Sequence, residues 1–159
     1  MPTDVHLRAV DDADLPIFFE QQLDPDANFM AAFTHKDPRD RAAFDAHWAK
    51  IRADPTVMLR TIVWRGRVAG SIASYGPEGE PEVTYWIGRE FWGQGLATEA
   101  LRQFLRAQTI RPIFGRAARD NAASLRVLAK CGFRVTGAEK GFANARGEEI
   151  EEVALVLDA

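Results

Sequence analysis

FWGQGLATEAL, residues 91–101, sets Gly93 and Gly95 one residue apart, just after bulky Phe91 and Trp92 and just before a segment of helical character. Upstream of it EVTYWIG (82–88) is rich in aromatic and β-branched residues and reads as a strand. A glycine pair at a strand-to-helix junction lets backbone amides turn toward a ligand with no Cβ in the way. The helix that follows adds roughly half a positive charge at its N-terminus. Phosphates suit such a place best; a tight turn with close strand–helix packing is the other reading of the same glycines.

Two common phosphate motifs fail on particular residues. A P-loop needs lysine and a hydroxyl residue straight after its last glycine, but Gly95 is followed by Leu96, Ala97 and Thr98. A dinucleotide fingerprint wants glycine or alanine where Thr98 stands and an acidic residue about 20 positions on. The strand there runs into Arg116 and Arg119 before Asp120.

Working outward, VMLRTIVWRG (57–66) and RVAGSIASYG (67–76) read as a hairpin that leads into the strand before the glycines. Further upstream come a short strand, VHLRAV (5–10), and a helix with capping acids, DDADLPIFFEQQL (11–23). DPDANFMAAFTHKDP (24–38), with two Asp-Pro steps, reads as a loop or broken helix, and RDRAAFDAHWAKIRA (39–53) as a second helix. Downstream, the helix after the glycines runs to about Gln108 and RPIFGRAA (111–118) is a strand. NAASLRVLAKCG (121–132) is a helix capped by Asn121 and ended by Gly132, and FRVTGAE (133–139) and EEVALVLD (151–158) are closing strands.

The chain of 159 residues suits one domain, residues 1–159, with an ordinary core. Its 20 Lys and Arg against 23 Asp and Glu are interspersed, so neither a nucleic-acid footprint nor an acidic tail is implied. The single cysteine, Cys131, cannot close an intramolecular disulfide, and MPTDVHLRAV carries no apolar signal segment. No apolar run approaches a membrane span of roughly 20 residues. The expectation is a soluble, cytoplasmic protein without nucleic-acid or membrane partners, monomeric or homodimeric. His6, His35, His47 and Cys131 lack metal-ligand spacing, and there is no G-x-S-x-G elbow, so no metal is expected.

YWIGREFWGQGLATEAL (85–101) and DNAASLRVLAKCGF (120–133), at this separation, together resemble the acyl-CoA-binding core of the GNAT superfamily of N-acetyltransferases. The similarity is closest to the branch with the ribosomal-protein N-terminal (alanine) acetyltransferases, and the order of elements fits over nearly the whole chain. The resemblance implies an α/β (α+β) fold: a mixed, mostly antiparallel sheet of about seven strands with a central splay, flanked by about four helices. It also implies direct transfer of an acetyl group from acetyl-CoA, the cosubstrate, to a primary amine, either a protein N-terminus or a small molecule. A catalytically silent acyl-CoA sensor, or a transferase for a larger acyl group such as succinyl, is the alternative.

Residue by residue, the resemblance assigns backbone groups of Ile87 and Gly88 to the pantetheine arm. It assigns the amides of Gln94, Gly95, Leu96, Ala97 and Thr98 to the pyrophosphate, with Gly93 and Gly95 allowing the close approach. Trp92 stands where the family often has arginine or glutamine, so a cationic contact is missing and the indole packs against the loop. Asn121 adds a pantetheine contact to its capping role, and Ser124 protonates the departing thiolate. Glu82, at the start of the strand before the glycines, is the candidate base, with Glu148 to Glu152 also able to approach the acceptor. Phe29, Met30, His35, Phe142, Asn144 and Arg146 are expected to line the acceptor site.

Overall fold

The computed structural model describes residues 3–159. Seven strands, β1 (Val5–Arg8), β2 (Met58–Trp64), β3 (Arg67–Tyr75), β4 (Glu82–Ile87), β5 (Ile113–Ala118), β6 (Arg134–Ala143) and β7 (Glu148–Leu157), form one sheet in the order β1-β2-β3-β4-β5-β7-β6. The described helices are α1 (Leu15–Gln22), α2 (Pro25–Ala31), α3 (Arg41–Ala53), α4 (Leu96–Ala107) and α5 (Ala122–Lys130). This is the mixed, mostly antiparallel α/β architecture expected. Among the described residues, none of the helices is long and apolar enough to cross a membrane.

The one parallel neighbour pair is β4 with β5, because the chain passes through α4 between them. The ladder between these two strands is limited to Glu82 opposite Phe114, where the Phe114 amide donates to the Pro81 carbonyl at 2.8 Å. Beyond that point they part, and the sheet has a central splay.

Helix α4 covers one face of the sheet because Leu96, Ala100, Leu101 and Phe104 recur on one side of it and are buried. They join Ile62, Ile72, Val83, Ile113 and Leu128 in the main core. Gly115 lets α5 press onto β5: a Cβ there would sit 3.0 Å from Leu128 Cδ2. A second cluster packs Phe18 of α1 with Phe44 and Trp48 of α3 against Leu59 and Val68.

The entry to α1 is fixed by a buried acid. Asp14 accepts from both terminal nitrogens of Arg8 at 2.7 and 2.9 Å, from Thr61 Oγ1 at 2.7 Å and from the Asp11 amide at 2.9 Å. Burial pushes its carboxyl up, but these bonds together outweigh burial and hold it down at about 2.

Two expectations are corrected. Residues 24–38 contain a fifth helix, α2, because the first Asp-Pro step starts a helix: Asp24 accepts from the amides of Asp26 and Ala27, and Pro25 sits in the first turn. The closing strands are also longer than expected. β6 and β7 stay paired out to Ala143 and Glu148, and the Ala143 carbonyl closes the turn on the amides of Arg146 and Gly147. Most of KGFANARGEE is therefore strand, with residues 144–147 forming the turn at its tip.

Candidate functional site

Gly93 and Gly95 both adopt the left-handed conformation, with φ of 76° and 77°. A side chain would strain the backbone at either place, which explains the pair. Gly95 caps α4, and the first helical bond runs from the Glu99 amide to the Gly95 carbonyl at 3.2 Å. The amides of Leu96, Ala97 and Thr98 precede that bond and face out of the helix end, while the Leu96 and Thr98 side chains are buried beneath them.

Beside this loop the backbone of β4 differs from expectation. The Gly88 amide donates to the Ala69 carbonyl at 2.8 Å and its carbonyl accepts from the Phe91 amide at 2.9 Å, so Gly88 has no free group to offer. By alternation along the strand, Val83, Tyr85 and Ile87 turn their backbone groups toward the splay instead. The Ile87 carbonyl is held by Trp92 Nε1 at 2.8 Å, and the Arg89 guanidinium lies 5.5 Å from the Trp92 ring centroid. Trp92 thus secures the strand end against the loop.

Across the splay, Asn121 Oδ1 accepts from the Ser124 amide at 3.2 Å while its Nδ2 donates to the Met30 carbonyl at 3.2 Å. Both ends of this side chain are engaged within the protein. Ser124 Oγ lies 2.7 Å from Tyr85 Oη. Burial pushes the Tyr85 phenol up to about 12, with the Ser124 hydrogen bond pulling the other way. Sequence reasoning passed over Tyr85, although the alternation of EVTYWI already puts it on the same strand face as Val83 and Ile87.

A cavity of about 930 Å³ is lined by Tyr85, Ser124 and Leu128 on the α5 side and by Glu82, Thr84 and Trp86 on the opposite strand face. Trp86 marks that second face by donating to the Gln21 carbonyl of α1 at 3.2 Å. The cavity therefore passes through the sheet where β4 and β5 part.

One wall carries two carboxylates around one guanidinium. Arg116 Nε meets Glu82 Oε1 at 2.7 Å, Tyr75 Oη donates to Glu82 Oε2 at 2.8 Å, and Glu152 stands 3.6 Å from Arg116. Burial pushes the Glu152 carboxyl up; Arg116 opposes this and the neighbouring Glu82 charge reinforces it. Burial likewise brings the Tyr75 phenol up to about 12, with Glu82 adding to the effect. The facing wall holds His35 and His47, ring centroids 5.2 Å apart, and burial keeps the His47 imidazole below its ordinary value. Sequence reasoning passed over Arg116 as a partner of Glu82, because the two meet only through the β4–β5 pairing.

Of the residues expected to line the acceptor site, His35 and Asn144 line this cavity, whereas Phe29, Met30, Phe142 and Arg146 lie outside it. Arg146 is instead a clamp. Its guanidinium sits 3.8 Å from the Phe29 ring centroid, Nε donates to the Phe29 carbonyl at 2.6 Å, and both terminal nitrogens grip Asp120 at 2.8 and 2.9 Å. The clamp joins α2, the β6–β7 tip and the loop before α5. Arg146→Ala is expected to destabilise the fold by about 2 kcal/mol, lowering Tm by roughly 6 °C in a thermal melt. Arg146→Lys should recover only part, since an ammonium cannot reproduce the bidentate grip.

A sheet opened between its two parallel strands, with a glycine-turned helix end at the opening and a cavity running through it, is the architecture of the acyl-CoA N-acyltransferases. The chain belongs to the GNAT acetyltransferase family: the acetyltransferase (GNAT) domain profile matches residues 4–134. None of the curated proteins matches it in sequence. Among solved structures it is similar to RimJ of Mycobacterium smegmatis in complex with CoA-disulfide, with a TM-score of 0.82 and 22% identity over 98% of this chain and 82% of that one. It is also similar to the ribosomal-protein-alanine N-acetyltransferase of Brucella melitensis, with a TM-score of 0.81 and 18% identity over 97% of this chain and 99% of that one. The spermidine N-acetyltransferase of Vibrio cholerae, in complex with CoA and spermine, gives 0.79 and 16% over 97% and 96%. At these identities the likeness is one of fold.

Proposed function

We propose that this protein transfers an acetyl group from acetyl-CoA to a primary amine by direct attack within a ternary complex. The observation that carries the reading is the cavity through the splay, with Tyr85 and Ser124 on the α5 side, the Glu82–Arg116–Glu152 cluster in its wall, and β4 running on from it into the glycine loop. The amides of Gln94, Gly95, Leu96, Ala97 and Thr98 would hold the pyrophosphate, helped by the α4 dipole. The pantetheine arm would then lie along the splay-facing backbone of β4, at Tyr85 and Ile87 rather than at Gly88. Asn121 would orient Ser124 through its cap and, by rotating off Met30, meet the arm.

The amine must arrive neutral. An α-amine of pKa about 7.7 to 8 costs roughly 1 kcal/mol to deprotonate at pH 7, and a lysine near 10.4 roughly 4.6 kcal/mol. Glu82 and Glu152 are the groups to take that proton. Arg116 and Tyr75 engage both oxygens of Glu82, and burial raises the Glu152 carboxyl toward the range of a general base. Ser124 would give its proton to the departing sulfur. A thiolate is a good leaving group, so this assistance falls below the usual 10²-fold of general acids: Ser124→Ala should lower kcat by about tenfold with CoA affinity unchanged. An acceptor amine is also the business of the named ribosomal-protein and spermidine acetyltransferases of the same fold.

The test is titration calorimetry with acetyl-CoA, CoA and ATP, followed by thioester turnover over a panel of peptide N-termini and polyamines. Micromolar binding of the CoA species and none of ATP is expected. Binding of ATP alone would remove the basis of the reading. A silent acyl-CoA sensor is the second reading, favoured by the engagement of both Glu82 oxygens; intact CoA binding with no turnover by any amine would select it.

A further inference from the structure

The bond between Tyr85 and Ser124 spans the splay at the point where β4 and β5 have separated, joining strand β4 to helix α5. Both hydroxyls line the same cavity. A serine in the first turn of a helix is free to turn its hydroxyl toward nearby backbone carbonyls, which would bury its proton away from any ligand. A phenol is a stronger acid than an alcohol and is therefore the better donor of the pair.

We infer that Tyr85 is a positioning residue: its O–H donates to Ser124 Oγ, occupies the serine lone pair and leaves the serine proton aimed into the slot at the thioester sulfur. This inference rests on the proposed role of Ser124 as proton donor. When the C–S bond breaks, its electron pair goes to sulfur and the sulfur takes the Ser124 proton. Ser124 Oγ takes the Tyr85 proton in the same motion, and the resulting phenolate is reprotonated to the phenol by the proton the amine released to the carboxylate wall, returned through solvent. The relay ends on a phenolate rather than on the far more basic alkoxide, so serine alone is a poorer acid than the pair. Asn121 fixes the Ser124 backbone by its cap, so Tyr85 has only the hydroxyl rotor left to set.

A test that needs no acceptor reads the sulfur itself. CoA is bound to the protein and its thiolate is followed by ultraviolet absorbance against pH; tyrosinate absorbance from Tyr85, held up at about 12, comes in later. A serine proton aimed at sulfur stabilises the thiolate. The parent should therefore show a bound-CoA thiolate fraction near pH 8 about tenfold above that of Tyr85→Phe, since a hydrogen bond to a charged group is worth about one pKa unit. Ser124→Ala should show the same fall, and the double variant no further fall, because the two hydroxyls act through one bond. CoA affinity at lower pH, where the thiol is protonated, should not change in any of them.

An unchanged thiolate titration in Tyr85→Phe, with a shifted one in Ser124→Ala, overturns the role of Tyr85 alone. An unchanged titration in Ser124→Ala overturns Ser124 as donor and this inference with it. Failure of the parent to bind CoA at all defeats the acetyl-CoA reading instead. Should Tyr85→Phe not fold, Tyr85→Leu, which also lacks a donor, reads the same bond beside Ser124→Ala: a Tyr85→Leu titration equal to that of Ser124→Ala and below the parent supports it, and one equal to the parent defeats it.

Discussion

Gly95→Trp is expected to raise the Kd for CoA at least about 100-fold, a loss of roughly 2.7 kcal/mol or more. Gly95 is the left-handed cap of α4, so any side chain there grows from the place where the backbone amides face outward. An indole at that position would occupy the space of the pyrophosphate. The left-handed backbone adds a strain of roughly 1–2 kcal/mol for a residue with a Cβ, within what a domain of 5–15 kcal/mol tolerates. Gly95→Ala separates the two effects, because it carries the strain with little of the bulk and should keep most of the affinity. Calorimetric titration of both variants, with a thermal melt to show that each is folded, measures the difference. Parental affinity in the tryptophan variant would remove the cofactor from this loop.

Asp14→Ala is expected to destabilise the protein by about 3–5 kcal/mol, because it strips a buried acceptor from the Arg8 guanidinium, the Thr61 hydroxyl and the Asp11 amide at once. Tm should fall by about 10 °C or more. The same cluster gives a pH signature. The Asp14 carboxyl is lowered from 3.8 to about 2 in the folded state, so its contribution is complete above the unfolded value. It is lost as pH falls through the folded one, a window from about pH 4 to pH 2 worth about 2 kcal/mol. Thermal melts of the parent and Asp14→Asn across that window should converge as pH drops. A gap that stays constant would mean that Asp14 does not titrate in this range.

The parts of the molecule that could be read from the sequence are those where a local rule and the tertiary demand coincide. Gly93 and Gly95 are glycines because of a backbone conformation, and a backbone conformation is local. Asn121 caps a helix with its own side chain, and the apolar stripe of α4 is a period in the chain. The misreadings arise where one signal serves two outcomes. Asp-Pro ends one helix and starts another, so Asp24 and Pro25 looked like a break when they were a cap and a first turn. Gly88 lies next to Ile87 in sequence, yet strand alternation turns its amide the other way, toward Ala69. Phe29 and Arg146 looked like acceptor contacts because both are large and stand on the expected segments; they face each other, a pairing across the fold that spacing does not encode. Tyr85 with Ser124 and Glu82 with Arg116 belong to the same kind: each bond joins elements that become neighbours only once the sheet has formed.

The opening between β4 and β5 has a further meaning, in traffic rather than chemistry. A passage that reaches both faces of a sheet has two doors. A molecule entering beside α5 and one entering beside α1 and α3 do not stand in each other's way, and neither has to wait for the other to leave. On the proposed reading, the face beside α1 would be the door for the amine and the face beside α5 the door for the cosubstrate, so that neither closes the other's route.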